Sequence, residues 1–189
     1  MATLKVLGLS GSLRGGSYNT ATLRAAQSLA PEGMQIEIGD ISGIPLYSED
    51  AQAVGFPEAV QRLGEAIGEA DALIIATPEY NYSIPGVLKN AIDWLSRLPN
   101  QPFANKPLAI VGASMGGLGT ARAQYHLRQV LVFLDVHVMN KPEVMIGAAH
   151  QKFDQNGQLT DAGTREFLGT ALEALDQFAR RINGSADQR

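Results

Sequence analysis

Apolar residues recur along the chain in short unbroken runs, separated by longer stretches of helical period. The runs at 4–9 (LKVLGL), 34–39 (MQIEIG), 72–77 (ALIIAT), 107–113 (PLAIVGA) and 136–146, the last broken by Pro142, read as strands. Between and after them, segments 19–30, 57–69, 86–98, 120–134 and 162–182 read as helices. Strand-length apolar runs separated by helices predict parallel strands covered on both faces, joined by right-handed crossovers. The expected architecture is a doubly wound α/β sheet. It forms one domain over 1–182, and 183–189 (NGSADQR) is a disordered tail.

Composition narrows the function classes. A net charge of −4 with no basic run gives no electrostatic reason to expect nucleic acid or an anionic membrane surface as partner. The longest apolar runs are strand-sized, which predicts no transmembrane helix. The N-terminus lacks a charged segment followed by an apolar core, so the cytoplasm is the expected location. The absence of cysteine removes thiolate nucleophiles, disulfides and cysteine-held clusters. His126, His137 and His150 are scattered and predict no metal site.

In such sheets ligands sit beyond the carboxyl ends of the strands, at the switch point of the strand order. The loop 10–19 (SGSLRGGSYN) follows the first strand and lacks both the GxGxxG and the Walker A spacing. It is instead hydroxyl-rich and single-phosphate in character. Ser10, Ser12, Ser17 and Thr20 supply hydroxyls, Asn19 an amide, and Arg14 a charge-assisted donor. Glycines let several N–H groups converge on one anion, and the helix beginning near Asn19 points its positive end there. The plain alternative is that Ser17 or Asn19 only caps that helix. The loop 78–85 (PEYNYSIP) follows the third strand. Tyr80 and Tyr82 can line a flat heterocycle, Asn81 can bond its edge, and Glu79 can orient the loop; alternatively the tyrosines are half-buried packing residues. A third loop, 112–119 (GASMGGLG), permits close backbone approach to a planar ligand. Together the loops suggest a phosphorylated flavin.

The runs GSLRGGSYN at 11–19, TPEYNYSIPGVLKNAIDW at 77–94 and GASMGGLGTARAQYHLRQVL at 112–131 resemble the NADPH-dependent FMN reductase family, and within it the bacterial chromate/quinone reductases. The resemblance runs from residue 4 to about 147. It implies a flavodoxin-like, five-stranded parallel sheet of order 2-1-3-4-5, bound FMN, and NADPH or NADH as electron donor. By this resemblance Ser10, Ser12, Arg14, Ser17 and Asn19, with Thr20 beside them, fall in the phosphate loop. Pro78, Glu79, Tyr80, Asn81 and Tyr82 fall along the isoalloxazine, and Ser114, Gly116 and Gly117 face its other side. The implied reaction is a two-electron ping-pong reduction of quinones, with chromate, azo compounds and free flavin as further acceptors. The flavin carries the chemistry, so no catalytic side chain is assigned. The rivals are a flavodoxin-type FMN electron carrier and a phosphate-binding hydrolase, which would need an acid, base or metal cluster that the sequence lacks.

Helices 86–98 and 120–134 carry more apolar residues than one buried stripe requires, which predicts partner contact. The resemblance implies a homodimer or homotetramer, with Arg122, Tyr125 and Glu143 networking across subunits. Trp94 is expected on the same interface.

Overall fold

The structure is a computed structural model and describes residues 2–186. Strand β1 (Leu4–Ser10) pairs in parallel with β2 (Met34–Gly39) on one side and β3 (Ala72–Ala76) on the other. Strand β4 (Pro107–Ala113) extends the sheet beyond β3, and β5 (His137–Val138) pairs with β4 at the edge. The strand order β2-β1-β3-β4-β5 reverses at β1 and β3, so the carboxyl ends of those strands flank the crevice where the chain changes direction. Strict alternation divides the core. Leu4 and Val6 pack on one face, and Leu7 and Leu9 on the other. Helices α1 (Tyr18–Leu29) and α6 (Ala162–Ala186) cover the first face. The second is covered by α3 (Glu58–Glu69), α4 (Gly86–Leu95) and α5 (Ala121–Val132). Among the described residues, no helix is long and apolar enough to cross a membrane.

Three differences from the sequence reading have local causes. The run 136–146 forms two strands, not one. β5 (His137–Val138) pairs with the start of β4 and β6 (Val144–Ile146) with its end, giving a sixth strand. Pro142, which has no N–H to donate to a ladder, lies between them. Helix α6 continues to Ala186, through four residues expected to be a tail; Asn183 donates its side-chain N–H to the Asp71 carbonyl at 3.1 Å and ties this stretch to the sheet. The tail's last residues, 187–189, lie outside the described residues.

The third difference corrects an interface assignment. Trp94 is fully buried within the chain and cannot be an intersubunit contact. Its indole donates to the Pro45 carbonyl at 2.9 Å, and Tyr47 and Phe56 meet it edge-on, with centroids 5.1 and 6.2 Å away. The segment carrying these rings includes a short helix, α2 (Glu49–Val54), that the sequence reading passed over. The signal for it is Ser48, whose hydroxyl accepts from the Ala51 N–H, followed by Glu49 and Asp50 in the first turn. Apart from the exposed Val87, the apolar residues of α4 are therefore covered by their own chain. Helix α5 differs, because Tyr125, Val132 and Phe133 remain exposed.

Candidate functional site

Three loops leave the carboxyl ends of β1, β3 and β4 and enclose one cleft of about 290 Å³. It is lined by Ser12, Arg14, Ser17 and Asn19 from the first loop and the head of α1, Pro78, Glu79 and Tyr80 from the second, and Ala113, Ser114 and Met115 from the end of β4 and the third.

In the first loop Ser17 caps α1, accepting from the N–H groups of Asn19 (3.2 Å) and Thr20 (3.4 Å). Capping and anion binding are compatible here. The oxygen's lone pairs serve the helix, while the hydroxyl hydrogen stays available to an anion. The N–H groups of Gly15, Gly16 and Tyr18 find no acceptor among the described residues. Arg14 lies 5.6 Å from the centroid of Tyr18, whose ring packs on Phe153 at 5.4 Å. Tyr18 also lines the cleft, a role the sequence reading missed although the residue stands between two assigned ones. Ser10 and Thr20 bond one another at 2.8 Å outside the cleft lining and brace the loop from behind.

Asn19 is placed differently from the other polar residues. It is 3 % exposed, and its amide makes a two-way clamp on Ala113. Nδ2 donates to the Ala113 carbonyl at 3.0 Å and Oδ1 accepts from the Ala113 N–H at 2.9 Å. The side chain thus ties the start of α1 to the end of β4. Its polar atoms are chiefly committed to holding the first and third loops together.

The second loop turns through a two-residue hairpin. Tyr80 and Ser83 exchange N–H···O bonds of 3.0 Å, and Asn81 and Tyr82 between them both have positive φ (49° and 67°). Tyr80 enters the cleft, whereas Asn81 and Tyr82 stand at the exposed tip, outside the lining. Glu79 presents its carboxylate to the N-terminus of α5, accepting from the N–H groups of Arg122 (3.1 Å) and Ala123 (3.2 Å). It also forms an ion pair with the Arg122 guanidinium, which raises the arginine's pKa through that hydrogen bond. In the third loop Ser114 bonds back to the Gly116 carbonyl at 3.2 Å, and Gly116 and Gly117 are exposed beyond the cleft lining.

Of the residues expected to network across subunits, Arg122 engages Glu79 and Tyr82 of its own chain. Tyr125 and Glu143 also meet within the chain: hydrogen bonding to Glu143, reinforced by its charge and by burial, raises the Tyr125 phenol pKa against the opposing pull of Arg128.

The residues present suit a phosphorylated planar cofactor. One end of the cleft offers a cation, free hydroxyl hydrogens and the open Tyr18 N–H; the other offers an aromatic side chain and backbone.

Residues 4–151 match the model of the NADPH-dependent FMN reductase family. An NAD(P)H-dependent FMN reductase of Pseudomonas aeruginosa is 64% identical over 181 residues, covering 96% of this chain and 98% of its own. A quinone reductase of Escherichia coli K12 is 52% identical over 182 residues, covering 95% and 97%. Among solved structures, the flavoenzyme NAD(P)H:(acceptor) oxidoreductase of Paracoccus denitrificans superposes with a TM-score of 0.86 at 34% identity, covering 95% of this chain and 99% of its own.

Proposed function

The chain belongs to the NADPH-dependent FMN reductase family, and we propose that it is an NAD(P)H-dependent quinone reductase whose cleft favours flat, uncharged aromatic acceptors. The observation that carries this reading is the largely apolar lining: Tyr80 and Met115, from the second and third loops, line the cleft and are exposed, and Pro78 and Ala113 line it beside them. Arg14 is the one cation among the described residues lining the cleft, and the Glu79 carboxylate is already engaged by α5. A hydrated oxyanion such as chromate would therefore meet little compensating charge. A quinone or an azo compound would trade water for apolar contact.

FMN, when bound, supplies the redox chemistry, taking hydride from a nicotinamide and passing two electrons to an acceptor. Ser12, Arg14, Ser17 and the open Tyr18 N–H at the head of α1 hold its phosphate. Pro78, Tyr80 and Ser114 line the part of the cleft left for its ring, and Asn19 keeps the two sides in register. Assembly as a homodimer or homotetramer is part of the same proposal, supported by Val132 and Phe133, which are 78% and 88% exposed at the end of α5. So is a cytoplasmic location, where a nicotinamide donor is at hand.

The test is anaerobic. FMN-loaded protein is expected to lose its visible absorbance promptly on addition of NADPH and to recover it with one equivalent of benzoquinone. Turnover with benzoquinone should exceed that with chromate. Slow or absent bleaching would instead favour a one-electron carrier, and faster turnover of chromate would overturn the acceptor preference.

Arg14→Leu removes one charge-assisted contact. It is expected to raise the FMN dissociation constant of the apoprotein about ten- to hundredfold, the equivalent of roughly 1.5–3 kcal/mol. Titration by quenching of flavin fluorescence, repeated at high salt, checks this. The wild-type advantage should shrink as salt rises.

A further inference from the structure

The second loop adopts a conformation that its own residues do not favour. Asn81 and Tyr82 both occupy the left-handed region, which for a bulky tyrosine persists only where the surroundings enforce it. The surroundings that enforce it are the first two turns of α5. Glu79 takes the N–H groups of Arg122 and Ala123, at a helix end whose own cap residue, Thr120, makes no side-chain capping bond. Arg122 pairs with Glu79 and lays its guanidinium over Tyr82, 3.6 Å from the ring centroid. His126, one turn further along the same helix face, bonds the Ser83 hydroxyl at 3.0 Å. The loop is gripped at residues 79, 82 and 83, and Tyr80, the aromatic side chain that enters the cleft, lies between the gripped points. Arg122 engages both Glu79 and Tyr82 while its buried Nε has no hydrogen-bond partner among the described residues. An arrangement that leaves a donor unpaired gives up stability to place the planar group.

We propose that Arg122 is a positioning residue for the ring-side wall: through Glu79 and Tyr82 its planar guanidinium fixes Tyr80, and so sets how tightly the cleft holds FMN and an aromatic acceptor. This rests on the reading that the second loop flanks the flavin ring. Every partner named belongs to one chain, so this role is separate from the subunit contact that the family resemblance implies for Arg122.

Arg122→Lys separates the two properties of the side chain. Lysine keeps a positive charge opposite Glu79 and loses the plane that stacks on Tyr82. The variant is expected to weaken FMN binding to the apoprotein about three- to fivefold. In the loaded enzyme it should raise KM for benzoquinone more than it lowers kcat. Tyr82→Leu should reproduce both changes, and the double variant should add little to either single one, since both break the same contact. Sedimentation velocity should show an unchanged oligomeric state. Wild-type affinity and KM in Arg122→Lys, additive effects in the double variant, or losses that track dissociation of subunits would each overturn the proposal. Wild-type protein that neither binds FMN nor turns over quinone would overturn the functional reading and this proposal with it. An active wild type beside an indifferent Arg122→Lys would overturn this proposal alone.

Discussion

Replacing Asn19 by aspartate is expected to destabilise the protein by about 3 kcal/mol at neutral pH, a large share of the roughly 5–15 kcal/mol that holds a domain folded. The substitution is nearly isosteric, so packing is preserved and only the bonding changes. The amide donates to the Ala113 carbonyl and accepts from the Ala113 N–H. A carboxylate can still accept, but its second oxygen would face the carbonyl without a proton between them, at a position 3 % exposed. Protonation restores the donor, so folding raises the pKa of the new carboxyl above its unfolded value of about 3.9. The folded state then binds the proton more tightly than the unfolded state does. The deficit relative to wild type is smallest below about pH 4 and grows as pH rises through the raised pKa. Urea unfolding of both proteins between pH 4 and 8 checks the sign. A deficit independent of pH would rule out this bonding scheme. Asn19→Ala, which leaves the Ala113 N–H and carbonyl both unpaired, should lose a similar amount at every pH.

The same clamp explains why part of the site was legible in the sequence and part was not. Ser12, Arg14 and Ser17, which line the cleft, were legible because their loop is built from neighbours in sequence and follows directly from β1. The strands were legible for a similar reason, since burial on both faces leaves unbroken apolar runs such as ALIIA at 72–76. Asn19 stands in the same loop and carries the same chemistry, yet its partner lies 94 residues away. Local pattern cannot distinguish an amide turned toward a ligand from one turned toward a distant strand. Glu79 presents the same difficulty on a shorter scale: its partners on α5 are 43 and 44 residues on. Trp94 shows the reverse error. An apolar helix face looks exposed in sequence when the segment that covers it, here 45–56, has no strong period of its own. What sequence conveyed was which loops meet. Which side chains face into the cleft and which tie its walls together depended on contacts between β-strand ends that only the assembled sheet creates.

Those walls are also limited by how closely they pass one another, and Gly112→Ala tests that limit. Gly112 lies on β4 between the second and third loops. A methyl group there would come within 1.7 Å of the Thr120 hydroxyl oxygen and 2.8 Å of the Thr77 carbonyl oxygen. Thr77 leads into the second loop, and Thr120 ends the third at φ 73° and is 1 % exposed, so neither can move without disturbing the cleft. Overpacking a dense interior costs about 1–3 kcal/mol; with a backbone oxygen among the obstructing atoms, the upper end of that range is expected, together with weakened FMN binding. The obstruction by Thr120 is separable. Thr120→Gly removes the hydroxyl and relieves a left-handed conformation that a threonine adopts at a cost of about 1 kcal/mol. The Gln124 amide that bonds this hydroxyl at 3.3 Å keeps its second acceptor, the Val144 carbonyl at 3.0 Å. The double variant Gly112→Ala/Thr120→Gly should therefore recover a substantial part of the stability and FMN affinity lost by Gly112→Ala. Recovery should be incomplete, because the Thr77 carbonyl stays in place. Thermal melts and flavin titrations on the wild type, both single variants and the double variant decide it. A double variant no better than Gly112→Ala would show that the Thr77 backbone, and not the Thr120 side chain, sets the distance between the two loops.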